Sequence, residues 1–178
     1  MIFQETWRMI LDGTKTQTRR VVRPGEHPYV LNNEIVGVMM PQRSPLEKVY
    51  DRRIKWKVAN GRIDWFTQAG VGWNSGSRGG GSGKVPTYAV QAGRGGKALF
   101  RIKIKAIRQE HLRDITQENA VAEGFQSVNA FVAAWSRLHN RKGERWADNP
   151  KVWCLTFDPV DGIADALLLN IIKHGIVP

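Results

Sequence analysis

Gly13-Thr14-Lys15-Thr16-Gln17-Thr18-Arg19-Arg20 gathers an ammonium, several hydroxyls and two guanidiniums into one short segment. Hydroxyls beside fixed positive charge are ingredients of anion binding and of acyl transfer, in which a nucleophile must be activated and an oxyanion stabilised. The ordinary alternative is a strand whose threonines pair across a sheet while its cations face water. Glu123 is the second unusual residue. It stands immediately before Gly124, at the expected C-terminal end of a helix, where the macrodipole favours a cation and a carboxylate costs about 0.3–1 kcal/mol. An ion pair with Lys15 or general acid–base work would account for that position; a solvated surface glutamate would not need to.

Other chemistries are excluded by spacing. Around Gly83-Lys84 a phosphate-binding P-loop requires glycine where Arg78 stands and Ser or Thr where Val85 stands. Gly93-Arg94-Gly95-Gly96 lacks the dinucleotide-binding spacing and leads into a strand, whereas that fingerprint opens a helix. His27, His111, His139 and His174 are widely separated, and Cys154 is the only cysteine. We therefore expect no metal, no cofactor and no internal disulfide, and a cytoplasmic location. No stretch approaches the ~20 apolar residues of a membrane span, and no export signal is visible, so no membrane partner is expected.

Charge points toward a polyanion. Residues 1–60 carry 11 basic and 6 acidic side chains, residues 61–113 carry 10 and 2, and residues 114–178 carry 6 and 8, so the basic surface belongs to the first two-thirds. Such a field favours RNA, with DNA as a further possibility, through counterion release. Candidate contacts are Lys15, Thr16, Gln17, Arg19 and Arg20, the outer face of a strand at Arg101, Lys103 and Lys105, and Arg78 and Arg94 in glycine-rich settings. Trp56, Trp65 and Trp73 offer stacking surfaces, although a tryptophan is more often core and only Trp73 has a loop-like context.

The elements that must position these groups follow from periodicity. Phe3, Trp7, Ile10 and Leu11 have helical spacing up to a cap at Gly13, and Lys15–Val22 has strand character. Ile54–Val58 and Arg62–Phe66 flank Asn60-Gly61 as a two-stranded ribbon, followed by a Gly/Ser loop at 70–84. Leu99–Ile107 alternates, with Phe100, Ile102, Ile104 and Ala106 on one face. Thr116 and Ser127 can each cap a helix, the second carrying Phe131, Ala134, Trp135 and Leu138 on one side. Val152–Phe157 is apolar on both faces, as a central strand would be, and an apolar helix near 163–173 must cover the barrel or a second subunit. The absence of a regular βαβ rhythm implies α+β.

The N-terminal run Trp7–Arg20, the segment Tyr88–Lys97 with the basic strand after it, Ile115-Thr116 through Glu123-Gly124-Phe125, and Asn149-Pro150-Lys151-Val152-Trp153 together resemble the ASCH family of the PUA-like superfamily, in its bacterial and phage form. The resemblance covers roughly 3–24 and 86–158. It implies one domain over 1–178, a mixed α+β PUA-like barrel with flanking helices, in which about 41–86 is a variable hairpin and Gly/Ser-rich insertion. It also implies recognition of RNA or a modified nucleoside. One family enzyme removes the acetyl group of 4-acetylcytidine with a lysine, a threonine three residues on and a distant glutamate, which match Lys15, Thr18 and Glu123 here. Another relative is a ribonuclease. A Gly-Asp and Trp-Val-Arg-Glu segment common in the family is missing, so substrate choice does not carry over.

Three expectations result: a binding domain for RNA or a modified nucleoside, a hydrolase using Lys15, Thr18 and Glu123, and, as the weakest, a protein–protein adaptor or self-associating chain built on the C-terminal helix. Lys15 and Thr18 point the same way only if a turn or bulge interrupts the strand between them.

Overall fold

A computed structural model describes residues 1, 3, 6–40, 54–59 and 86–160. They form a mixed α+β structure whose antiparallel sheet curls into a half-barrel flanked by a few helices. In chain order the strands are β1 (Gln17–Val21), β2 (His27–Leu31), β3 (Glu34–Met39), β4 (Ile54–Lys57), β5 (Tyr88–Val90), β6 (Phe100–His111) and β7 (Lys151–Pro159). The helices are α1 (Arg8–Leu11), α2 (Gln117–Ala122) and α3 (Val128–Leu138). One sheet has the order β1-β7-β6-β5 and the other β2-β3-β4. Val58 joins them, bridging to Ile104 on β6 while its N–H donates to the Val36 carbonyl at 2.8 Å.

β7 lies between β1 and β6, and its composition follows from that place. Trp153 and Leu155 pack with Val38, Trp56, Val58, Ile104 and Ile107 on one side. Val152 and Cys154 pack with Leu112, Ala120, Phe131 and Trp135 on the other. Both faces of the strand are therefore dry, as expected for a strand covered on each side.

Three expectations need correction. Only Arg8–Leu11 is helical at the N-terminus; Phe3 is buried through a turn in which the Thr6 N–H donates to its carbonyl. β6 runs on to His111, and its register against β7 shifts between Ile104 and Ala106. Lys105 is the extra residue of this bulge, so Ile107 and not Ala106 is buried. β1 spans Gln17–Val21, shorter than the expected Lys15–Val22, while Trp56 is core at 6% exposed, the commoner place for a tryptophan. β4 pairs with β3, while Arg62–Phe66, Trp65, Trp73, Arg78, the Gly/Ser loop and the C-terminal apolar segment lie outside the described residues.

The β2–β3 hairpin was not anticipated. Asn32 and Asn33 both have positive φ, 49° and 65°, the conformation of a two-residue turn in which asparagine is tolerated. Behind it, the buried Glu26 carboxylate ties the two sheets together by accepting from Trp153 Nε1 at 2.9 Å and Lys55 Nζ at 2.6 Å.

Candidate functional site

α2 is defined at both ends. The Thr116 hydroxyl accepts from the Asn119 N–H, and the helix stops where Phe125 N–H reaches the Ala120 carbonyl and Gly124 N–H the Val121 carbonyl. These paired bonds are a Schellman motif, which needs its left-handed residue at Gly124, φ 87°. A side chain there would also meet Met9 Sδ at 2.8 Å and the stem of Lys15 at 3.5 Å, so the helix end and the N-terminal segment approach closely. That approach is fastened by the Thr16 N–H donating to the Ala122 carbonyl at 2.9 Å and the Lys15 N–H to the Met9 carbonyl at 2.7 Å.

The result is a buried charge cluster. Lys15 Nζ donates to Glu123 Oε2 at 3.0 Å and to the Glu123 backbone carbonyl at 2.6 Å. Glu123 Oε1 accepts from Arg19 Nη1 at 3.2 Å, and Arg19 in turn grips Glu110 through Nε at 3.0 Å and through Nη2. Lys15, Arg19 and Glu123 are each under 5% exposed, so the pair is not a surface ion pair. The carboxylate that opposes the helix field is thus matched by a cation that also caps a free carbonyl of the same helix end.

Electrostatics follow from burial. Desolvation pulls the Lys15 ammonium below its ordinary value, and Glu123 offsets only part of the effect. Desolvation pushes Glu110 upward, but its bonds to Arg19 and Arg108 outweigh that and hold it below the usual carboxylate range. Burial drives the Cys154 thiol up, which makes it inert as a nucleophile at neutral pH.

These groups open onto a cleft of about 350 Å³. Lys15, Thr18 and Glu123 all line it, since β1 begins only at Gln17 and Lys15 sits in the connection before it. Strand alternation therefore applies from Gln17 onward and does not fix the direction of Lys15 relative to Thr18. Arg19 and Arg20 line the cleft from β1, Arg94 from a glycine turn and Arg137 from α3, so five cations stand with Glu123 as the only carboxylate among the described lining residues. Phe3, Phe131 and Trp135 supply aromatic wall; the Arg20 guanidinium lies 5.3 Å from the Phe3 ring centre and that of Arg19 5.8 Å from Phe131.

Other sequence candidates lie elsewhere. Arg101, Lys103 and Lys105 do not line the cleft; Arg101 is bound to Thr87, and Lys105 pairs with Asp158 at 3.2 Å. Thr16 spends its backbone on α2 and β7, and Gln17 is buried with its amide nitrogen lacking a partner among the described residues; neither lines the cleft. Sequence reasoning missed Glu110, Arg137 and His139 as members of this region. For His139 a signal existed, since the four-residue step from Phe131 to Trp135 continues to it along the same face of α3.

Among the described residues no group of three His, Cys, Asp or Glu side chains could hold a metal ion, and no helix is long and apolar enough to cross a membrane. No family model, curated protein or solved structure matches this chain.

Proposed function

We propose that the cleft receives a single nucleoside unit, either a modified nucleoside or one unpaired residue of RNA, and that the chain is a PUA-like domain of the ASCH type. The carrying observation is the buried Lys15–Glu123 pair in a pocket with aromatic walls and an excess of cations. A donor and an acceptor held together suit the edge of a base, the rings suit its face, and the arginines suit a phosphate. The cleft volume falls at the low end of the ~300–1,000 Å³ typical of small-molecule sites and is too small for a duplex.

Calorimetry with cytidine, 4-acetylcytidine and a short single-stranded RNA tests this reading. Binding of at least one ligand is expected, and Lys15→Met should weaken it about tenfold or more, ~1.4 kcal/mol. RNA affinity should fall steeply with salt. Binding that ignores Lys15→Met contradicts the assignment of this cleft.

The second reading, hydrolysis of an acylated cytidine, is favoured by Thr18 lining the same cleft as the pair. In that reaction water or the Thr18 hydroxyl adds to the acyl carbon, giving up its proton to Glu123 or to neutral Lys15. Arg19 and Lys15, when charged, balance the oxyanion, and the C–N bond breaks as the amine nitrogen takes the proton. Attack by Thr18 leaves an acyl ester that a water then hydrolyses. Two of the three N–H donors of the Lys15 ammonium go to Glu123, which leaves one for a substrate oxygen. Lys15→Ala is expected to cut turnover of 4-acetylcytidine by about 10²–10⁴-fold.

A further inference from the structure

On the α3 side of the cleft, His139 is held from two directions. Its ring stacks on Trp135 with centres 4.0 Å apart and planes 17° from parallel, and Nδ1 lies 3.5 Å from Glu144 Oε2. Glu144 is itself fixed, because Arg23 binds Oε1 of its carboxylate and Trp135 Nε1 donates to its backbone carbonyl at 2.9 Å. Trp135 thus positions the imidazole with its face and the carboxylate's backbone with its indole N–H. His139 also lines the cleft, on a different element from Lys15, Thr18 and Glu123. With one face on Trp135 and Nδ1 turned to Glu144, Nε2 is the ring nitrogen that has no hydrogen-bond partner among the described residues.

We propose that His139 is a ligand-binding residue of this cleft, its Nε2 accepting a hydrogen bond from an N–H or O–H of the bound nucleoside while Glu144 fixes the tautomer through Nδ1–H. This rests on the nucleoside reading and adds a polarity to it: the ligand must present a donor at the α3 wall. A carboxylate behind one ring nitrogen sets which nitrogen keeps the proton. Burial is the largest influence on His139 and holds its pKa below the ordinary histidine value; Glu144 opposes this, while Arg20 and Arg23 add to it. Arg137 on α3 and Arg94 and Arg19 across the cleft add further positive charge. The imidazole is therefore neutral at neutral pH and able to accept.

A sign follows. Protonation of Nε2 abolishes the acceptor, so affinity for an uncharged nucleoside must fall as pH drops through the His139 pKa, by up to about tenfold per pH unit. Removing Glu144 takes away the influence that raises that pKa and so moves the fall to lower pH.

Calorimetric titration of cytidine into the full chain from about pH 5 to pH 8 tests the proposal, alongside His139→Gln and Glu144→Gln with folding checked by circular dichroism. Wild type should lose affinity on acidification, His139→Gln should bind with a flat profile, and Glu144→Gln should shift the midpoint downward. Equal profiles for wild type and His139→Gln, or affinity that rises on acidification, would overturn the assignment while leaving the nucleoside cleft intact. Failure of cytidine, 4-acetylcytidine and RNA alike to bind at any pH would remove the cleft reading and this inference together.

Discussion

Glu123→Ala is expected to destabilise the protein by about 3–5 kcal/mol, the range for removing one partner of a buried pair. The loss should exceed that of Lys15→Met, and the reason lies in the connectivity. Deleting Glu123 leaves the Lys15 ammonium with only a backbone carbonyl and removes one of the two carboxylates on Arg19. Deleting the Lys15 charge leaves Glu123 still bound by Arg19, whose other nitrogens remain on Glu110. Lys15→Met should therefore cost about 1–3 kcal/mol, mostly for the unmet oxygen and the open helix carbonyl. Urea denaturation of both variants and of Lys15→Met/Glu123→Gln measures the difference; equal losses would show that the buried network is not organised around the carboxylate.

The second large effect is expected at Glu26, which does not line the cleft. Its side chain is 1% exposed and accepts from Trp153 Nε1, Lys55 Nζ and, at 3.2 Å, the Arg23 N–H. Glu26→Ala strands the indole N–H of a fully buried tryptophan, and a loss of about 2–4 kcal/mol follows from that unsatisfied donor and the space left behind. Glu26→Gln keeps one acceptor and should recover more than half of it. Thermal melts followed by tryptophan fluorescence resolve the pair, and an alanine variant no weaker than the glutamine variant would contradict the role given to this carboxylate.

The parts of the structure that sequence revealed are those governed by local rules. Thr116, Ser127 and Gly124 mark their helices because caps act within a few residues. Val152–Phe157 announced a covered strand because alternation is lost when both faces are dry. Glu123 was legible for the opposite reason, since it violates a local rule and its compensation had to come from elsewhere. What was hidden depends on long-range pairing. No alternation pattern shows that Lys105 bulges, because the shift is set by the register with Phe157 and Thr156. Phe3 fits a helical spacing with Trp7 yet reaches the core by a turn. The charge count drew attention to Arg101, Lys103 and Lys105, whereas cleft residues come from both halves of the chain, Arg137 and His139 among them.

If a nucleoside sits in the small pocket around Lys15 and Glu123, backbone amide NMR during titration with cytidine locates that contact directly. Shifts should concentrate at Thr18, Arg20, Glu123 and His139 and leave Arg101, Lys103 and Lys105 still. Shifts confined to the outer face of β6, with the amides around Glu123 unmoved, would contradict it.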